Sequence, residues 1–439
     1  MTPPARLAAA IELLTLIDAT PRPADAVMSA YFRERRFIGS KDRADISLTV
    51  YRAMRRRARL TWRLERAGAE ASPTGLLLAD LLVGEGMETR RVERLFSGGP
   101  YAPAQLSPEE QGLARRLEGR SLEHPDMPEA VAAECPPWAE AELRRGLGED
   151  FRRELDALKE PAPLDLRVNV LKANREDVLR RLLADGLDAR PCLLSPLGIR
   201  LQGRPSVMAH PLYKDGAIEI QDEGSQLVAL LVDAKPGQEV ADFCAGAGGK
   251  TLAIAASMAN KGRLTAADVL ANRLLRARER FRRAGIHNVQ TRPMEGENDP
   301  WIKRHKGHFD RVLVDAPCTG VGTWRRNPDM RWRTLGPGLG ELVPLQARLI
   351  ASAARLVKPG GRLIYATCSM LPVENEDQAA AFLAAHPDFA RCDAAEIWRQ
   401  AVWPADGPGA PSSPYLSLTP ARHGVDGFFA AIFERAAAS

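Results

Sequence analysis

At 439 residues the chain is longer than one hydrophobic core usually organises, so two or three domains are expected. Apolar residues make up 45% and charged residues 27%, an ordinary globular balance; the richest apolar run, 76–83, is broken by Asp80 and falls far short of the ~18 residues of a membrane helix. The net charge of +5 is mild, and the six cysteines lack the spacing of a disulfide framework or a zinc knuckle, so neither a disulfide scaffold nor a metal is expected.

The opening residues lack the basic-then-apolar layout of a secretion signal, which predicts a cytoplasmic protein. Up to about Gly119 the chain reads as helices. Leu7, Ile11, Leu14 and Ile17 repeat at three- and four-residue steps, as do Ile46, Val50 and Met54, giving each segment one apolar stripe. Breaks fall at Thr20-Pro21-Arg22-Pro23, Ser72-Pro73 and Ser97-Gly98-Gly99-Pro100. Arginines crowd at Arg52, Arg55, Arg56, Arg57, Arg59, Arg63 and Arg66 and again at Arg325, Arg326, Arg331 and Arg333. Such clusters suit a polyanion partner, or equally, for the first one, a solvated helix face.

The polar stretch 119–137 holds Pro125, Pro128, Pro136 and Pro137 and reads as a linker. A helix, a short strand (164–170), a second helix (175–183) and further short strands to about Ile220 form a small α/β module. From Gly237 the chain alternates strands (239–243, 263–267, 311–314, 362–366, 428–433) with helices (251–258, 273–284, 345–357). That order predicts a doubly wound parallel sheet with its site at the carboxyl ends of the strands. The segment 404–414, rich in Pro, Gly and Ser, is expected to be a surface loop. The expected domains are 1–130, all-helical; 138–235, small α/β; and 236–439, the sheet.

Four motifs fall at strand ends. Asp242-Phe243-Cys244-Ala245-Gly246-Ala247-Gly248-Gly249-Lys250-Thr251 is a glycine-rich strand-to-helix turn, where backbone N–H groups can approach a ligand; its spacing is neither that of a dinucleotide fingerprint nor that of a P-loop. Asp268 ends the next strand, where a nucleoside-binding sheet places an acid against ribose hydroxyls; alone it would read as a helix cap. Asp315-Ala316-Pro317-Cys318 and Tyr365-Ala366-Thr367-Cys368-Ser369 deliver two thiols to one sheet edge, one beside a carboxylate. A lone strand-end cysteine would be core filler; a pair with an acid points to thiol chemistry.

With Leu164-Asp165-Leu166-Arg167-Val168-Asn169, Gln221-Asp222-Glu223-Gly224-Ser225, Asn327-Pro328-Asp329, Lys358-Pro359-Gly360-Gly361, Glu374-Asn375-Glu376 and Asp426-Gly427-Phe428-Phe429, this ordered series resembles the Nop/Sun family of RNA cytosine-5 methyltransferases, in its RsmB-like branch. The resemblance covers roughly 160–433. It implies a Rossmann-like S-adenosylmethionine methyltransferase sheet, with the small module as an RNA-recognition subdomain. The helical region, through 36–57, resembles the NusB-like domain of that branch. The partner implied is RNA, ribosomal RNA foremost, with no membrane and no metal, and the protein is expected to act as a monomer.

The chemistry implied is methylation at an electron-poor carbon. A thiolate adding to carbon 6 of cytosine turns the ring into an enamine, an acid such as Asp315 takes up charge at the ring nitrogen, and carbon 5 becomes nucleophilic. A base must then remove the carbon 5 proton and the thiol must leave. This scheme leaves open which thiol attacks; the resemblance implies Cys368 as nucleophile and Cys318 in product release. It also implies that Cys244, Ala245, Gly246, Ala247, Gly248, Gly249, Lys250 and Asp268 hold the cofactor together with Asp315, with Glu295 at the adenine. Where the family loop usually has Ala-Pro, this chain has Gly246-Ala247, losing a stiffening proline. Arg167, Asn169, Arg325, Arg326 and Arg331 are expected to face RNA, the last three from a loop interleaving tryptophan and arginine. The alternative is a non-catalytic RNA-binding or ribosome-assembly factor with a relic methyltransferase domain, which would have lost part of the thiol and glycine-loop set.

Overall fold

The computed structural model describes residues 1–403 and 407–437, so the expected loop 404–414 lies partly outside the described residues. The chain forms two compact units, Met1–Glu160 with Trp324–Pro337, and Pro161–Thr323 with Gly338–Ser439.

The first unit is helical. Helix Pro3–Asp18 starts where Thr2 Oγ1 accepts from the Ala5 N–H and two prolines occupy the first turn. It buries Leu7, Leu14 and Ile17 against Ile46, Val50, Leu60 and Leu64 of the helices that follow. The arginine cluster of this unit proves to be internally neutralised. Arg52 and Arg56 both reach the buried Asp80, at 2.7 and 2.8 Å. Arg57 pairs with Asp18 at 2.8 Å, and Arg59 with Glu134 at 2.8 Å and Glu123 at 2.6 Å. The stretch expected to be a linker is therefore packed: Glu134 is fully buried and also accepts from the Ala58 and Arg59 N–H groups. Helices Pro137–Leu147 and Phe151–Lys159 are part of this compact unit as well.

Segment Trp324–Pro337 belongs to the helical unit although its sequence follows Cys318. Trp324 is buried edge-on to Trp138, the Ala24 N–H donates to Asp329, and Trp332 Nε1 donates to the Met54 carbonyl at 3.0 Å. Arg331 is fully buried over the Trp324 ring, donates to the Glu134 carbonyl, and is pulled down to about 10 by desolvation. Arg325 is buried and Arg326 half-buried. The loop expected to face RNA thus uses Trp324, Trp332 and Arg331 for packing within this unit.

The second unit holds two sheets. Strands β1 (Leu164–Val168), β2 (Ala189–Pro191), β3 (Gly198–Leu201) and β4 (Ile218–Ile220) form an antiparallel sheet in the order β2-β3-β1-β4. Helix Arg175–Ala184 covers it through Val178 and Leu182. The large sheet comprises β5 (Glu239–Asp242), β6 (Arg263–Asp268), β7 (Val289–Pro293), β8 (Phe309–Asp315), β9 (Val357–Thr367), β10 (Phe389–Arg391), β11 (Leu416–Leu418) and β12 (Phe428–Arg435). Its order is β10-β12-β9-β8-β5-β6-β7, with β11 on β12. Strands β5 to β9 are parallel, whereas β12 runs antiparallel to β9. The sheet is therefore mixed rather than wholly parallel: β12 returns from β11 through the short turn Pro420–His423, with no crossover helix to reverse its direction. β8 and β6 flank β5 and diverge there, making its carboxyl end a topological switch point.

Candidate active site

Neighbouring strands β9, β8, β5 and β6 bring Cys368, then Asp315 and Cys318, then the glycine-rich turn, then Asp268 to one edge. The turn after β5 is held from several sides. The Gly246 N–H donates to Asp268 Oδ2 at 2.8 Å, the Ala245 N–H to the Ala267 carbonyl, and Arg280 Nη1 to the Ala247 carbonyl at 2.6 Å. These bonds stiffen a loop that lacks the family proline. Gly248 adopts φ +79° as it caps helix Gly249–Ser257, and a Cβ there would lie 2.7 Å from the Phe281 ring.

Arg167 donates to the Gly249 carbonyl at 2.8 Å and to Gln221, and Asn169 donates to the Gly216 and Ala284 carbonyls at 2.9 and 2.8 Å. Both are buried. These two residues, expected to contact RNA, use their donors to tie the small sheet to the glycine-rich turn and the helix Ala271–Ala284.

A cavity of ≈ 690 Å³ opens at the switch point. Cys244, Ala245, Gly246, Ala247, Gly249, Lys250, Asp268 and Asp315 line it, with Val269, Leu270 and Met294 as apolar wall. Gly248 turns the chain without lining it. Glu295 is exposed and off the wall, whereas Glu297 is on it. The Glu295 and Trp301 N–H groups both bond Asp299, and this cap curls the segment so that Glu297 faces inward, paired with Arg348 at 2.7 Å.

The donor set suits S-adenosylmethionine. Asp268 accepts one N–H on each oxygen, from Gly246 and Leu270, which leaves lone pairs for ribose hydroxyls. Lys250 and Asp315, 2.7 Å apart, offer both signs of charge to an amino acid. Burial would lower the Lys250 pKa, but Asp315 and the neighbouring Cys368 and Asp242 outweigh it and the net shift is upward. Behind them Asp242 is buried, accepts from Thr251 Oγ1 at 2.7 Å and has no partner on Oδ1. Desolvation, with Asp315 and Asp268 nearby, pushes its carboxyl up to about 7.

Cys318 Sγ and Cys368 Sγ lie 3.4 Å apart, both half-buried. The hydrogen bond to Cys368, burial and the charges of Cys368 and Glu374 all raise the Cys318 pKa, so that this thiol keeps its proton. The two turns are fixed to each other. The Gly322 N–H donates to the Cys368 carbonyl at 3.0 Å. Glu374, fully buried, accepts from the Thr319 N–H at 2.9 Å, the Thr319 and Ser369 hydroxyls and Gln346 Nε2 at 3.0 Å. One carboxylate thereby grips the residue after each cysteine. Its position was visible in Glu374-Asn375-Glu376 but its role was not; the signal was a charged residue directly after the apolar run 370–373.

A model described as 16S rRNA methyltransferase RsmB/F matches residues 229–434, and one described as the RsmF/B-like ferredoxin-like domain matches 135–208. A protein named probable ribosomal RNA small subunit methyltransferase B from Synechocystis sp. is 36% identical over 275 residues, 62% of this chain and 60% of that one. The chain thus spans about three-fifths of the length of the curated relatives it matches. The crystal structure of PH0851 superposes with a TM-score of 0.77 at 26% identity, covering 99% of both chains. A methyltransferase homolog from Pyrococcus horikoshii superposes at 0.58 with 28% identity, covering 70% of this chain and 97% of that one. No helix among the described residues is long and apolar enough to cross a membrane. The methyltransferase model spans the strands and turns that build the cavity and the thiol pair, so residues 229–434 carry an S-adenosylmethionine-dependent methyltransferase domain of the RsmB/F type.

Proposed function

We propose that this chain methylates carbon 5 of a cytosine in small-subunit ribosomal RNA through a covalent bond between Cys368 and carbon 6. The observation that carries the reading is the thiol pair, 3.4 Å apart at the edge of a cofactor-sized cavity. Bound in that cavity, S-adenosylmethionine supplies an electrophilic methyl group.

Cys368 suits the attacking role. Cys318, 3.4 Å away, holds its own proton, and Lys250 lies close enough for the charge of Cys368 to raise its pKa. As carbon 6 is attacked, the Lys250–Asp315 pair supplies the proton-bearing group that the ring nitrogen needs. Once Cys368 is bonded to carbon it carries no charge, which removes the largest cause that keeps Cys318 protonated. Cys318 then releases its proton to water and, as the thiolate, takes the carbon 5 proton, after which the carbon–sulfur bond breaks and Cys368 leaves. The target base must be unpaired or turned out of its stack to reach these groups. The relatives' names support ribosomal RNA as substrate.

Nucleoside mass spectrometry of small-subunit ribosomal RNA treated with the protein and S-adenosylmethionine tests the reading. The expected product is 5-methylcytosine, absent with Cys368→Ala. Methylation at another atom, or an active Cys368→Ala variant, overturns it.

A further inference from the structure

Helix Ala271–Ala284 carries Arg273, Arg276, Arg278, Arg280, Arg282 and Arg283 against a single acid, Glu279. That surplus of five equals the net charge of the whole chain, +5. All the remaining charge in the chain cancels, and much of it does so by contact, as in the arginine cluster paired with Asp18, Asp80, Glu123 and Glu134. On this helix the two half-buried arginines are likewise matched: Arg280 and Arg283 share Glu219. Arg273, Arg276 and Arg282 are exposed and make no ion pair among the described residues. With Arg278, whose printed bond is to the Thr291 hydroxyl, four like charges stand on one helix without an ion pair among the described residues, which opposes folding slightly.

The surroundings of the helix indicate what meets them. Arg273 stands on the wall of the ≈ 690 Å³ cavity. On the other flank an open groove of ≈ 590 Å³ runs between the helix and β7, the last strand of the sheet. Arg278 and Arg282 form one side, Gln290 and Thr291 the other, and Phe281 lies in the floor. Arg278 Nε is fixed by Thr291 Oγ1 at 2.7 Å. Exposed Leu275 sits beside these arginines. A polyanion whose charges repeat along a line, with flat apolar faces between them, matches guanidinium groups at both flanks and an apolar floor.

We infer that the exposed half of helix Ala271–Ala284, together with the groove beside β7, is a docking surface for the RNA phosphate backbone outside the target nucleotide. The inference rests on the reading of RNA as substrate. It adds exposed arginines on a helix that chain position did not single out to those expected from the loop 324–337, where Arg325 and Arg331 are buried.

The test is the salt dependence of binding by the full chain to a labelled transcript of small-subunit ribosomal RNA, between 50 and 300 mM salt (about one decade of usable range). The variant is Arg276→Gln with Arg282→Gln; glutamine keeps the helix propensity. The control is Arg144→Gln, whose parent arginine is already paired with Glu129 and Glu140. The double variant should lower the slope of log affinity against log salt by about 1.4 to 1.8 and weaken binding roughly 10- to 50-fold near 0.1 M salt. Heat of S-adenosylmethionine binding and melting temperature should stay at the parent values, and Arg144→Gln should change neither slope nor affinity. A double variant with the parent's slope and affinity overturns the inference while leaving RNA as substrate. A parent chain that shows no salt-dependent RNA binding overturns the reading beneath it.

Discussion

The Cys318 and Cys368 sulfurs stand 3.4 Å apart across 50 residues of chain, because each follows the end of one of two adjacent parallel strands. The register Asp315↔Ala366 sets the two turns level, and Glu374 fixes them sideways. Their chemistry depends on that distance, since the hydrogen bond between the sulfurs raises the Cys318 pKa.

Alkylation should separate the two thiols. In the parent chain, iodoacetamide at pH 8 should label Cys368 well before Cys318. In Cys368→Ala the main cause of the raised Cys318 pKa is gone, and Cys318 should react faster than it does in the parent. Peptide mass spectrometry reads both; equal rates in the parent would mean that the pair shares no proton.

Glu374→Gln replaces an acceptor of four hydrogen bonds by an amide whose nitrogen faces donors. We expect a 10- to 100-fold fall in methyl transfer, the consequence of about 1.5 to 3 kcal/mol of lost positioning. Cofactor affinity by calorimetry should hold, since Glu374 does not line the cavity. Equal losses of affinity and activity would place Glu374 in general packing instead.

Gly322→Ala should be severe. A Cβ there would lie 2.2 Å from the Gly427 carbonyl oxygen, backbone against backbone, and the same Gly322 binds the Cys368 carbonyl and accepts from the Gly427 N–H. The expected cost is about 3 kcal/mol, read as a lowered denaturation midpoint together with lost activity. A midpoint within 0.5 kcal/mol of the parent (about the size of a surface change) would contradict the contact.

Stability should depend on pH through Asp242. Its carboxyl is raised from 3.8 to about 7 in the fold, so between those values the folded chain holds a proton that the unfolded chain has released. The folded state is then favoured at low pH, and this contribution is lost as pH rises towards 7. Asp242→Asn keeps an acceptor for Thr251 and removes the titration, so its melting temperature should gain on the parent from pH 5 to pH 8. A constant difference across that range would contradict the raised value.

Much of the second unit was legible in the chain. Strands at 239–243, 263–267, 311–314 and 362–366 were marked by apolar runs that end in Asp, Cys or Gly, and the structure gives β5, β6, β8 and β9 there. β7 and β10 escaped notice because they are short and carry exposed or charged residues, and the direction of β12 depends on a connection that periodicity does not encode. The charge pattern misled most. Arg331 and Arg167 look solvent-facing in a string of letters, yet their acceptors come from positions 134, 221 and 249, and only the fold brings those together. Glu295 lies off the cavity wall for a smaller reason: the Asp299 cap places the wall-lining acid two residues on, at Glu297.

The measurement that tests the central claim most directly is a denaturing gel of Cys318→Ala incubated with small-subunit ribosomal RNA and S-adenosylmethionine. Without its releasing thiol, the chain should remain bonded to carbon 6 of the methylated base and run as a slower protein–RNA band that Cys318→Ala/Cys368→Ala does not form. A Cys318→Ala variant that turns over at the parent rate with no such band would contradict the two-thiol mechanism.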